Sequence, residues 1–179
     1  CGCLDASDEL TQFAKQAGIP ICSTLMGLGA FPESDDLRLR MLGMHGAVYA
    51  NYAIDNADLM LAFGVRFDDR VTGKLDAFAS RASIVHVDID PAEIGKNKKP
   101  HCSIFSNIKP ALRLLNEKMS RETNLPDFSA WRNECNEQKK FHPVPRPNLQ
   151  NEEISPHAAN QMRDEVTNGE EESCTGGGQ

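Results

Sequence analysis

Apolar positions in this chain fall into two alternating spacings. Over residues 6–17, Leu10, Phe13 and Ala14 recur at helical intervals, with Asp5 or Ser7 as the expected N-cap and Gly18 as the stop. Residues 19–24 (IPICST) then form a short apolar run, a buried strand that opens into the glycine-containing loop 25–29. The unit repeats: residues 45–57 are helical in spacing, and residues 59–64 (LMLAFG) are a near-continuous apolar strand ended by glycine. A third helix is predicted over 74–82, leading to the β-branched strand 83–90 with its acidic end. After a loop, residues 102–105 read as a strand and 110–119 as a helix with Leu112, Leu115 and Met119 on one stripe.

Helices alternating with continuous apolar strands predict an α/β fold, an open Rossmann-like parallel sheet with helices on both faces. Its first strand is expected to lie upstream of Cys1. Ligands of such sheets bind at the carboxyl ends of the strands, which singles out residues 24–29, 64–70 and 88–93. The pattern changes past residue 124. A helix carrying Trp131 is expected over 127–141, then a proline-rich connector over 142–148, then a helix opened by Ser155 and Pro156 that runs to about Val166. The expected organisation is a main domain over 1–142, a linker over 143–153, and the truncated start of a second domain over 154–179. A first residue other than methionine and a closing glycine run read as an internal piece of a longer protein.

Composition narrows the function classes. Forty per cent hydrophobic residues in 179 suffice for a core, and no stretch reaches the length of apolar sequence that a membrane span requires. The formal charge of −7 disfavours a nucleic-acid binder that relies on a basic surface. Most of that acidity belongs to residues 143–179, which carry 7 acidic and 2 basic side chains. The six cysteines include no CxxC pair, so no metal site is expected, and they read as reduced thiols.

Candidate chemistry gathers at the three strand ends. Asp88 and Asp90 stand where a dinucleotide-binding sheet places a ribose acceptor, although an acidic strand end also serves as a loop cap; Glu93 is equally ambiguous. Arg66, Asp68, Asp69 and Arg70 follow Gly64. Such arginines fork onto a phosphate or carboxylate, or else pair with the aspartates in solvent. Gly43 and Gly46 would let a flat ligand approach the backbone, with Met44 and His45 beside them. No GxGxxG fingerprint, nucleophilic triad or phosphate loop occurs.

The strings STLMGLGAFP, MLGMHGAVYANYAIDNADLMLAFGVRFDDRVTGKLDAFASRA, IVHVDIDPAEIGKNK and DFSAWRNE resemble the central domain of the acetolactate synthase (acetohydroxyacid synthase) family, catalytic subunit, plant chloroplast type. The resemblance covers residues 3–138. It implies a thiamine-diphosphate enzyme that joins two pyruvates, or pyruvate and 2-oxobutyrate, into 2-acetolactate or 2-aceto-2-hydroxybutyrate with loss of CO2, in branched-chain amino-acid synthesis. It further implies thiamine diphosphate and Mg2+ in flanking domains, and FAD held in this one without redox work. The expected assembly is a homodimer or homotetramer of catalytic subunits with a separate regulatory subunit, in the chloroplast stroma.

By position, the implied FAD contacts are Thr24, Leu25, Met26 and Gly27; Leu42, Gly43, Met44 and His45; Gly64, Val65, Arg66, Phe67 and Asp68; Asp88, Ile89 and Glu93; and Asn107 and Ile108. Asp69 and Arg70 correspond to the substrate and herbicide channel, where Arg70 would hold an anion. No catalytic residue and no metal ligand are expected within the chain, and the piece alone is expected to be inactive. The chain departs from the family at Cys1, which replaces a glycine, at Asn107, which replaces an aspartate, and at residues 170–173, which are polar where the family has an apolar strand. The alternatives are a flavin- or nicotinamide-dependent oxidoreductase domain, or a binding module of another thiamine-diphosphate family; the string GVRFDDRVTGK disfavours the latter.

Overall fold

Helix α1 (Ser7–Ala17) buries Leu10, Phe13 and Ala14 and ends at Gly18, whose φ of 66° is the left-handed conformation glycine adopts without a Cβ penalty. The computed structural model describes residues 4–143 together with Ala159, Met162, Val166 and Thr167. The start of α1 departs from expectation. Its N-cap is Ala6, reached through a 3-10 turn over Leu4–Ala6, and no side chain caps it. Ser7 Oγ instead donates to the Ala30 carbonyl at 2.9 Å, which ties the helix to the loop after the first strand.

The remaining elements are β1 (Ile21–Ser23), β2 (Arg38–Met41), α2 (Val48–Asn56), β3 (Leu59–Phe63), α3 (Asp69–Thr72), β4 (Ser83–Asp88), β5 (Cys102–Phe105), α4 (Ile108–Arg121) and α5 (Ser129–Phe141). All pairings are parallel. They form two ladders, β1-β2 and β3-β4-β5, with Leu59 opposite Ser83 and Val85 opposite Cys102.

Two hydrophobic clusters cover opposite faces of the larger sheet. Ala62 of β3, with Met60 packed alongside, joins Ile84, Phe78, Tyr49, Ala50 and Cys135, which brings α2 and α5 to one face. Leu61 and Phe63 pack on Leu10, Phe13, Ile108 and Leu112, which brings α1 and α4 to the other. This alternation along β3 is the period-2 geometry of a strand buried on both sides. Cys22 and Ile21 of β1 divide between the same two clusters.

Two stretches differ from the sequence expectation. No strand is predicted at 38–41, because RLRM mixes basic and apolar residues. Yet Arg38 is 5% exposed, its guanidinium paired with Glu33, while Leu39 is buried on the other side. The helix expected over 74–82 is instead a succession of turns, with α3 formed earlier. Leu75, Phe78 and Ala82 do have helical spacing. However, Lys98 Nζ donates to the carbonyls of Leu75 and Phe78 at 3.1 and 2.7 Å, and Ala79 sits at φ 46°, which breaks the i to i−4 ladder. Phe78 and Ala82 are buried all the same.

The chain divides into two units, one over Cys1–Pro143 and a second over Val144–Gln179. In the second unit, the four described residues are helical; Ala159, Met162 and Val166 fall within the helix expected from Ser155 to about Val166, and Thr167 directly follows it. The connector from 144 on, and the acidic stretch 168–174, lie outside the described residues. No helix among the described residues is long and apolar enough to cross a membrane.

Candidate functional site

The loops that follow the carboxyl ends of the strands hold the implied FAD contacts and the Asp69–Arg70 pair. After β1, Thr24 leads into a 3-10 turn over Leu25–Gly27, leaving Leu25 and Met26 each 68% exposed and Gly27 buried. After β2, Leu42 turns inward to the core, while Met44 and His45 are exposed. After β3, Gly64 takes φ 63° and its N–H donates to the Val87 carbonyl at 2.9 Å. At the end of β4, Ile89 is 62% exposed.

Large apolar side chains bared to water after β1, β2 and β4 cost free energy in isolation, and they suit the face of a flat, apolar ligand. Acceptors and cations stand beside them. One Asp88 oxygen accepts from the Asp90 N–H at 2.9 Å, the loop-capping use foreseen for it. Its other oxygen has His86 Nε2 as a neighbour at 3.7 Å. Arg66 lies 3.7 Å from Asp68 with its side chain mostly in solvent, so this pair contributes little to stability. Asp68 itself caps α3, accepting from the Val71 N–H at 3.2 Å. A bared apolar surface together with acceptors and guanidinium groups fits a flavin dinucleotide, which carries a flat ring, ribose hydroxyls and a diphosphate.

The β2–α2 loop and the start of α3 are locked to each other. The Met44 N–H donates to the Arg70 carbonyl at 2.9 Å, and an Arg70 terminal nitrogen lies 3.9 Å from the Met44 sulfur. Gly43, at φ 95°, allows this approach: a Cβ there would stand 2.5 Å from the Arg70 carbonyl oxygen. Asp69 and Arg70 are exposed at the rim beside this lock.

Other expected contacts are turned elsewhere. Phe67, at φ 52°, is buried edge-on against His86 and Phe78, and Ile108 is buried in the α1–α4 cluster, so mainly their backbones are left for a ligand. Glu93 pairs with Lys96 at 2.7 Å. Asn107 caps α4, its Oδ1 accepting from the Lys109 N–H at 2.9 Å, which occupies the acceptor it retains in place of an aspartate. Val65 packs against the α2–α5 cluster.

Sequence reading passes over Asn51, on the first turn of α2. Its Oδ1 accepts from the Gly43 N–H at 2.8 Å and its Nδ2 donates to the Gly43 carbonyl at 3.0 Å. An asparagine eight residues past a loop glycine is the only signal the sequence offers for that clamp.

No group of three or more His, Cys, Asp or Glu side chains among the described residues could hold a metal ion. The thiol nearest these loops is no nucleophile. Burial pushes Cys22 up to about 12, with the buried Cys135 adding to the rise, and Cys135 itself is raised to about 11 by burial. A cleft of about 490 Å³ bounded by Lys15, Gly18, Asp35, Leu125 and Arg132 lies at the opposite, amino ends of β1 and β2. Its cations are already engaged, Lys15 with Asp35 at 3.0 Å and Arg132 with the Gly18 carbonyl at 2.8 Å.

The fold is a parallel α/β domain whose carboxyl strand ends expose apolar side chains beside charged ones. Comparison with known families places it more closely. The family model described as the thiamine pyrophosphate enzyme central domain matches residues 1–115, and the chain belongs to that family. It is similar to acetolactate synthase 1, chloroplastic, from Oryza sativa subsp. japonica, 59% identical over 99% of this chain and 28% of the relative. It is similar also to acetolactate synthase 1, chloroplastic, from Nicotiana tabacum, at 60% identity over 99% of this chain and 27% of the relative. A third relative, acetolactate synthase, chloroplastic, from Arabidopsis thaliana, is 56% identical over the same share of the chain. The chain thus spans little more than a quarter of the length of these relatives.

Proposed function

We propose that this chain is the flavin-holding central part of a chloroplast acetolactate synthase, condensing two pyruvates, or pyruvate with 2-oxobutyrate, with loss of CO2. The observation that carries the reading is about 60% identity to the tobacco synthase across 99% of the chain. In this reading, thiamine diphosphate and Mg2+ are held by flanking parts of the full-length enzyme and supply the decarboxylation and carbon–carbon bond formation.

The chain's own residues bind and orient. Leu25, Met26, Met44 and Ile89 would offer FAD apolar surface, Asp88 would accept from a ribose hydroxyl, and Arg66 would pair with the diphosphate. FAD supplies a rigid surface and its charge rather than electrons, since the net reaction is not a redox reaction. Arg70, exposed at the rim with Asp69, attracts the carboxylate of an incoming 2-oxo acid. Asp88 gives up no hydrogen bond when it takes a ribose, because the oxygen facing His86 is not the one that caps the loop.

The reading includes one more strand. β1 and β3 share the same two clusters, yet no ladder joins their sheets among the described residues. A parallel strand seated between them would complete one continuous sheet. The main domain over 1–142, the linker over 143–153 and the second domain beyond it belong to the same reading, as do assembly into a homodimer or homotetramer and control by a separate regulatory subunit.

The test is expression of the full-length protein containing this chain and assay of acetolactate from pyruvate with thiamine diphosphate, Mg2+ and FAD. Acetolactate formed while the flavin stays oxidised is the expected result. Flavin reduced by a substrate in turnover would replace the reading by the oxidoreductase one, which the relatives do not favour.

A further inference from the structure

We propose that Asn51 is a positioning residue of the flavin site, holding the Gly43–Met44 segment against the Arg70 turn in the shape that presents Met44 to the cofactor. The inference rests on the flavin-holding reading above and deepens it by assigning a residue whose side chain reaches no ligand itself.

The Gly43 peptide is held on every polar edge. Its N–H donates to Asn51 Oδ1 at 2.8 Å, and its carbonyl accepts from Asn51 Nδ2 and from the Gly46 N–H, each at 3.0 Å. Gly43 lies at φ 95°, where backbone geometry alone leaves a glycine free to move, so an external restraint has most to do at this residue. The carboxamide supplies a donor and an acceptor in one plane, spaced to grip one residue's N–H and C=O together.

The next residue transmits the restraint. The Met44 N–H donates to the Arg70 carbonyl at 2.9 Å, and Gly43 packs so closely on Arg70 that a Cβ would stand 2.5 Å from that carbonyl oxygen. The loop is closed on its other side by the Ala47 N–H, which donates to the Met41 carbonyl at 2.8 Å, and by Gly46, whose Cβ would meet that same oxygen at 2.4 Å. The chain from Met41 to Ala47 is therefore a tight loop pinned at its ends by backbone bonds and at its middle by one side chain. Met44, 62% exposed, is held out over the strand ends by that pin. Asn51 is half-buried on the first turn of α2, so α2, packed in the larger cluster, is the rigid base from which the loop is set.

The experiment uses the full-length enzyme in three forms: native, Asn51→Leu, which fills a similar volume without hydrogen bonds, and Asn51→Asp, which keeps the acceptor for the Gly43 N–H and sets a carboxylate against its carbonyl. FAD affinity of the apoenzyme is read by flavin fluorescence quenching, the environment of bound flavin by its visible spectrum, and loop opening by hydrogen exchange of the 42–47 amides. Both variants are expected to raise the FAD Kd about tenfold or more, shift the flavin band and speed exchange at Gly43 and Met44, with the apoenzyme melting temperature within about 2 °C of native. Unchanged FAD affinity and spectrum in Asn51→Leu would overturn the proposal, as would a loss of affinity matched by a general fall in melting temperature and global exchange. A native apoenzyme that fails to bind FAD at all would instead sink the flavin-holding reading on which the proposal rests.

Discussion

His86 Nε2 lies 3.7 Å from Asp88 Oδ2, and the imidazole is fully enclosed with neither ring nitrogen hydrogen-bonded. Phe67 closes over it edge-on at 5.2 Å. The ring therefore serves mainly as packed volume beneath the strand end that presents Asp88, and its unpartnered nitrogens carry a desolvation cost. Replacement by alanine removes the contact with Phe67 and is expected to cost about 3 kcal/mol, whereas His86→Leu keeps most of the volume and is expected to be at least about 1 kcal/mol less costly. Denaturant unfolding of both variants checks this ordering; equal losses would mean that the imidazole makes a polar interaction of its own.

Gly43 and Gly73 both have positive φ, but only one has a neighbour. A Cβ at Gly43 would collide with the Arg70 carbonyl, while at Gly73, φ 55°, it would meet nothing within 4 Å. Gly73→Ala is expected to cost only the strain of a backbone at φ 55°, ψ −123°, which glycine alone adopts readily, about 2 kcal/mol. Gly43→Ala must also part the loop from α3, and should cost at least twice as much and weaken FAD binding. Melting temperature and FAD titration of the two variants, compared side by side, test this.

Thiol reactivity should follow burial. Cys22 and Cys135 are raised to about 12 and about 11 by burial, so at pH 8 almost none of either is thiolate, while Cys102 on β5 is exposed. Under native conditions an alkylating reagent is expected to label Cys102 and leave Cys22 and Cys135 unmodified until the protein unfolds. Peptide mapping by mass spectrometry reads the order directly.

Asp35 gives a pH dependence with a definite sign. The Leu37 N–H, donating to Oδ1 at 3.0 Å, is the chief cause that holds its carboxyl below the ordinary value; burial opposes it and Lys15 adds to the lowering. A carboxylate lowered in the folded state stabilises the fold at neutral pH, and that stabilisation is lost as pH falls from the ordinary value of 3.8 through the lower folded one. Asp35→Asn should therefore be less stable than native at pH 7, by about 1 kcal/mol, and should converge with it once the pH falls below the lowered folded value. A deficit unchanged across that range would show that the effect is not electrostatic.

Much of this layout is legible in the chain. The strands around Ile21, Leu61 and Val85 are continuous apolar runs because both faces are covered, and the stripe Leu10, Phe13, Ala14 is what one helix face needs to cover them. Thr24, Gly64 and Asp88 could be marked as strand-end positions for the same reason. Less legible were β2, where Arg38 is buried through a pairing with Glu33 that no periodicity announces, and residues 74–82, where helical spacing was genuine but Lys98 took the carbonyls a helix would have used.

By itself, the sequence determined the α/β class, the parallel order and the strand ends at which a ligand would sit, because hydrophobic period and turn chemistry are local properties. Only the tertiary structure decided which of those residues face outward and which hold the others in place. Phe67 and Ile108 are drawn into cores, Asp88 divides its two oxygens between a loop and His86, and Asn51 clamps a glycine that rests on Arg70. Those assignments depend on which segments meet across the fold, and contact between residues distant in the chain leaves no mark in the spacing of either.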